Sequence, residues 1–193
     1  MYRSPYVQCP TCHTILHDQS HKLLALAEPA PCCGATGEPR ITWPSLEVLE
    51  FLEIVDNQDL KSLDGSRIAI VFLCTALELM LEGSLWNLLQ LHTKSSQLIE
   101  TLLDGNWGRE RRIQLYNKLS DRSLNDLFNS CGLATFLEDW GNLSKLRNKI
   151  VHGQYWIMEE KAADILRSVF EKCLPAFVAV HNDVQRMIRA SNK

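Results

Sequence analysis

Between Glu159 and Arg189 an apolar side chain returns every three or four residues: Ala162, Leu166, Val169, Cys173, Phe177, Val180, Val184 and Met187. That spacing keeps them on one side of a helix. A helix of this length with an unbroken apolar stripe has to lie against partners of similar length. The chain after Trp43 supplies them. A long helix is expected from about Ser66 towards His92, and "LATFLEDWGNLSKLRNKIVHG" puts Phe136, Trp140, Leu143, Leu146 and Ile150 on one stripe. Shorter helices are expected over "WPSLEVLEFLEIVDN", burying Leu46, Leu49 and Phe51 or Leu52, and over "SSQLIETLLDG", stopped by Gly105. "NWGRERRIQLYNKLS" and "SLNDLFNSCG" follow, with Ser45, Asn106 and Ser123 as N-cap candidates for their segments. Strand alternation is scarce. The expected fold class is mainly α, an antiparallel helical bundle of four or five main helices over residues 44–193. Gly141 weakens its helix by about 1 kcal/mol relative to alanine, and Pro175 should bend the last one.

The most apolar run, "IAIVFLCTALELML", is 14 residues long and already contains Glu78. A membrane span needs about 20 predominantly apolar residues, so a buried helix is the reading, and no membrane partner is expected. The N-terminus "MYRSPYVQCPTC" has no apolar h-region, which points to a cytoplasmic protein with reduced cysteines. The net charge is −3, from 20 basic and 23 acidic side chains. Before Pro44 three basic residues balance three acidic ones. A protein that coats nucleic acid is strongly basic, so any RNA contact here has to come from a local patch.

Four of the seven cysteines fall in the first 33 positions: Cys9, Cys12, Cys32 and Cys33. A segment of about 40 residues has too little apolar sequence for a core of its own and needs a cross-link. In a reducing compartment that link is zinc, held by about four thiolate or imidazole ligands. Residues 1–43 resemble a zinc ribbon, whose two knuckles normally read CPxCG. In the first knuckle His13 replaces the glycine. In the second, Cys33 before Gly34 fits the last ligand position, but Ala30 stands where the other cysteine belongs. The fourth ligand is expected to be Cys32, with His13, His17 or His21 as the alternative. A fully liganded zinc has no open position for chemistry, so its expected role is structural. Cys74, Cys131 and Cys173 have no partners at metal spacing and are read as core residues.

"LRNKIVHG" closes a helix at Gly153 and gathers Arg147, Asn148 and His152. Asn148 and His152 are four apart and stack on one helical face, while Arg147 lies roughly 140° away, within reach of its long side chain. The ordinary explanation is that cations suit the negative end of a helix. The functional one is RNA cleavage. A 2′-hydroxyl attacking the adjacent phosphorus needs no metal if a histidine moves protons. An arginine can hold the phosphate and stabilise its extra charge. Asn148 can orient the imidazole or the ribose. One histidine is awkward for a reaction that uses both an acid and a base, and a two-fold dimer would supply the second.

Arg147, Asn148, Lys149, Ile150, Val151 and His152, at a helix end inside an all-α bundle, resemble the RX4–6H motif of HEPN domains. The resemblance spans about residues 45–190. It implies a homodimeric, metal-independent endoribonuclease with a composite site between subunits and no catalytic cofactor. Family members are frequently toxins of toxin–antitoxin pairs or antiviral-defence effectors, which leaves room for an inhibitor or activating partner protein. Others have lost catalysis and serve as scaffolds. An earlier helix often adds a polar or acidic residue, and Glu78 and Glu82 are the candidates here. The alternative for both is an ion pair with a neighbouring cation.

Arg109, Arg112 and Tyr116 fall on one helical face that could grip a phosphate and stack a base, and Lys149 is a further candidate for RNA binding. Glu110 interrupts that charge, and a solvated face is the competing explanation. From a different class, a non-catalytic dimer using the ribbon for protein or nucleic-acid recognition remains the alternative function. A zinc-dependent hydrolase fares poorly, because no HExxH or comparable open three-ligand set occurs.

Overall fold

The computed structural model describes residues 3–19, 23, 29–35, 41–154 and 160–191. Three short strands come first: β1 (Tyr6–Gln8), β2 (Ile15–His17) and β3 (Ile41–Trp43). They form one antiparallel sheet in the order β2-β1-β3, with Val7 opposite both Leu16 and Thr42. Seven helices follow among the described residues: α1 (Leu46–Asp56), α2 (Leu63–Leu89), α3 (Ser96–Gly105), α4 (Arg109–Leu119), α5 (Leu124–Ser130), α6 (Phe136–Val151) and α7 (Glu160–Ser191).

The apolar run lies in α2, which is the axis of the bundle: α1, α3, α4, α6 and α7 all pack on it. By length and composition α2 could cross a bilayer, but 56% of its most apolar window is buried inside the fold. Leu73, Leu77, Leu81, Leu85 and Leu88 are fully buried. The stripe on α7 behaves as its spacing requires, with Leu166, Val169, Cys173, Phe177, Val180 and Val184 sealed against α2, α5 and α6. Helical pairing continues through Pro175. Ser62, Ser95 and Ser123 each accept a backbone N–H three residues on, capping α2, α3 and α5. Each such cap is worth about 1 kcal/mol.

Several local expectations need correcting. Ser45 does precede α1 but makes no side-chain cap bond, and α1 buries Val48, Leu49, Leu52 and Val55 while Leu46 is 59% exposed. Gly108, not Asn106, caps α4, using a left-handed φ of 91°. Gly141 does not break α6. Its missing side chain makes room for the Arg109 guanidinium, which would lie 2.9 Å from an added Cβ. Cys74 and Cys173 are core residues, and burial pushes each thiol up to about 12. Cys131 is exposed at the end of α5.

The sheet is strapped to α7. The Asn182 side chain pairs with both backbone groups of Ile15, accepting from its N–H at 2.8 Å and donating to its carbonyl at 3.0 Å. Arg189 donates to the Thr14 hydroxyl and the Cys12 carbonyl, and His181 Nε2 donates to the His13 carbonyl at 3.0 Å. Trp43 closes the seam, packing edge-on against both Tyr6 and His181.

Candidate active site and metal centre

The end of α6 is built by its glycine. Gly153 takes a φ of 67°, its N–H bonds the Ile150 carbonyl at 3.0 Å, and the Gln154 N–H reaches back to the Lys149 carbonyl at 2.8 Å. This is a Schellman termination, which stops the helix and satisfies its last carbonyls. His152 is the capping residue, exposed and without a side-chain hydrogen bond among the described residues. Earlier in α6, Leu143 and Ser144 face the core while Asn148 and Lys149 face out. Arg147 lies between these surfaces with 23% of its side chain exposed. Its Nη2 meets Glu78 Oε1 at 2.5 Å, an ion pair that joins α6 to the middle of α2.

This pair opens onto a cavity of about 460 Å³ between α6 and the start of α4. Four cations line it (Arg109, Arg111, Lys145 and Arg147) against two carboxylates, Glu78 and Glu110. Asn148 belongs to the wall, and so does Trp107 from the α3–α4 turn. His152 does not. The structure thus brings Glu78, Arg147 and Asn148 to one cavity and leaves His152 on the adjacent helix end.

The expected common face of Arg109, Arg112 and Tyr116 exists, but it points inward. Arg112 is 9% exposed and its Nη2 meets Glu82 Oε2 at 2.6 Å, so Glu82 is tied to that arginine and does not line the cavity. Tyr116 is fully buried, and its hydroxyl donates to Asp183 Oδ2 at 3.0 Å. Burial and the Asp183 charge push the phenol far above its ordinary range. A base cannot stack on it in this packing. Arg109 alone of the three reaches the cavity. It is held by the Leu137 carbonyl at 3.3 Å, by an ion pair with Glu110, and by the Trp140 ring, whose centroid lies 5.5 Å from the guanidinium carbon. Lys149 is exposed outside the cavity wall.

The cysteines meet in the N-terminal segment, and none of them lines the cavity. The sulfurs of Cys9, Cys12, Cys32 and Cys33 all lie within 4.8 Å of one another. Cys12–Cys32 are 3.3 Å apart, Cys9–Cys33 3.7 Å and Cys32–Cys33 3.9 Å. Tetrahedral zinc, with Zn–S near 2.3 Å, sets its ligand sulfurs about 3.8 Å apart, so the set fits a metal. Cys12 is brought down to about 6: burial pushes its thiol up, and hydrogen bonds with Thr14, Cys32 and Cys33 outweigh that. Burial and these neighbours hold the Cys32 proton on more tightly than usual.

The backbone explains the irregular second knuckle. Around Cys9, the Cys9 N–H bonds the Thr14 carbonyl and the His13 N–H bonds the Cys9 carbonyl. Around Ala30, the Ala30 N–H bonds the Ala35 carbonyl and the Gly34 N–H bonds the Ala30 carbonyl, the same pattern at the same spacing. His13 and Gly34 both take the left-handed conformation, φ 57° and 70°. Ala30 therefore occupies the first knuckle position without a sulfur, and Cys32 supplies one from the third position. Neither His13 nor His17 belongs to the cluster, and His21 lies outside the described residues.

Comparison with known proteins finds no matching family model, no matching curated protein and no matching solved structure.

Chemically, the cavity can hold an anion beside a carboxylate-braced guanidinium. The helix end can move a proton through an exposed imidazole. Sequence reasoning missed the seam residues His181, Asn182 and Arg189. Lone polar side chains on an apolar helix carry no signal of the backbone they will meet. It also gave Trp107 no role of its own. Its position in "NWGR", between a helix stop and a glycine, was the available hint.

Proposed function

We propose that this chain is a metal-independent endoribonuclease of the HEPN type, acting as a homodimer. The observation that supports it most is the Glu78–Arg147 pair, which fixes the motif arginine at the edge of a cavity with a net excess of cations. A phosphodiester in that cavity would be gripped by Arg147 and neighbouring cations. The 2′-oxygen forms a bond to phosphorus, the bond to the 5′-oxygen breaks, and the proton lost from the 2′-hydroxyl and the one gained by the leaving oxygen pass through imidazole. His152 supplies one imidazole per chain, and a second copy supplies the other. Asn148 orients the ribose or the ring. The products are a 2′,3′-cyclic phosphate and a 5′-hydroxyl.

The four cysteines hold structural zinc, which fastens the N-terminal sheet and takes no part in the cleavage. A toxin or antiviral-defence effector working in the cytoplasm, restrained or triggered by a partner protein, is the biological setting that the resemblance suggests. A second reading has an observation of its own in its favour. His152 stands outside the cavity that Arg147 and Asn148 line, as in a binding module that retains the motif without the reaction.

Cleavage of mixed RNA without added divalent cations separates the two. Loss of general acid–base catalysis should slow cleavage about 100-fold or more in His152→Ala. Arg147→Ala should do the same with the fold intact. Equal rates in His152→Ala and wild type would overturn the assignment, and an inert wild type would favour the binding module.

A further inference from the structure

Trp107 is the most exposed large apolar side chain among the described residues, at 73%. Its place is fixed by its neighbours. On one side Asn106 ends α3 with both its backbone N–H and its side-chain amide bonded to the Leu102 carbonyl. On the other, Gly108 turns the chain into α4 through a left-handed φ of 91°. The indole is thus held out on a short, well-bonded turn at the wall of the cationic cavity.

The four cations of that cavity are not equivalent. Arg109 and Arg147 are each paired with a carboxylate, Glu110 and Glu78. Among the described residues Lys145 has no ion-pair partner and Arg111 reaches only the Gly105 carbonyl, at 3.5 Å. Both are exposed. An aromatic face beside two uncommitted cations, at a cavity of about 460 Å³, matches what one unstacked nucleotide offers: a flat base and a phosphate. A base in a duplex has both faces covered by its neighbours, so only an unpaired one can lie on an indole.

We infer that Trp107, Arg111 and Lys145 form a subsite for an unpaired nucleotide of RNA, the base on Trp107 and its phosphate between the two cations. Resting on the ribonuclease reading, this makes the substrate single-stranded at the cut and gives Trp107 the base-stacking role that Tyr116, buried in the core, cannot fill.

The test is a binding measurement independent of cleavage. A fluorescein-labelled oligoribonucleotide with 2′-O-methyl groups throughout has no nucleophile, and its affinity is read by anisotropy, as a single strand and as a duplex. Wild type should prefer the single strand. Trp107→Ala should weaken single-strand binding about tenfold or more, with Trp107→Phe largely restoring it. Replacing both Arg111 and Lys145 by alanine should flatten the log–log salt slope by about 1 to 1.5. Unchanged affinity in Trp107→Ala, or equal affinity for the duplex, overturns the subsite. So does a dimer that becomes monomeric in Trp107→Ala, because the indole would then belong to a subunit contact. Cleavage lost in His152→Ala with binding indifferent to Trp107 defeats the subsite alone. Trp107-dependent binding by a protein that never cleaves RNA defeats the nuclease reading and leaves the subsite standing.

Discussion

A methyl group at position 141 would meet Arg109 Nη2 at 2.9 Å, the far end of a side chain that can move. Alanine gains about 1 kcal/mol of helix propensity, offsetting the lost contacts of a displaced guanidinium with Leu137 and Trp140. Gly141→Ala should therefore unfold within about 1 kcal/mol of wild type in urea, yet bind RNA more weakly because a cavity cation has shifted. A large stability loss with unchanged binding would show that Arg109 is only a brace. At this scale the chain was half legible. Arg147, Asn148 and His152 stood out because three polar groups crowd a helix end. The orientation of Arg112 and Tyr116 did not, because it depends on Glu82 and Asp183, carboxylates on two other helices. No pattern within "RERRIQLY" reveals that acids wait inside.

Among elements, α2, α6 and α7 were readable because long stripes leave few ways to bury them. Short α1 and α4 were readable as helices but only partly as faces: Leu49 and Leu52 are buried while Leu46 is not, and Arg112 turns inward. Asp183 shows how such an element is fixed. With its side chain 1% exposed, it takes Tyr116 from α4, Arg122 from the α4–α5 turn at 2.9 Å, and Arg186 from its own helix at 3.1 Å. Asp183→Ala leaves the buried Tyr116 hydroxyl without its acceptor and releases two arginines that water can reach, so it should cost about 1–3 kcal/mol in denaturant unfolding. A loss under 1 kcal/mol would mean the network is only decorative.

Across the whole molecule, the ribbon-like segment was legible as a cysteine cluster, but its docking on α7 was not. His181 shows that docking in its titration. Burial lowers its pKa below 6.5, the His13 carbonyl raises it and His13 lowers it further. The unfolded chain therefore takes up a proton first. The stability this neutral ring contributes is complete above pH 6.5 and is lost as pH falls through the lower folded value. Wild type should lose stability in that window, measured by thermal unfolding across pH, and His181→Gln should flatten the loss. A wild-type curve level from pH 7 to 5 would contradict the buried, neutral ring.

The chemistry of the cut is what the reading of Arg147 and His152 stands on, and mass analysis of the RNA ends reports it most directly. Fragments ending in 2′,3′-cyclic phosphate, partnered by 5′-hydroxyl ends and absent with His152→Ala, are the expected result. Fragments carrying 5′-phosphate and 3′-hydroxyl ends would contradict attack by the 2′-hydroxyl and, with it, the role given to both residues.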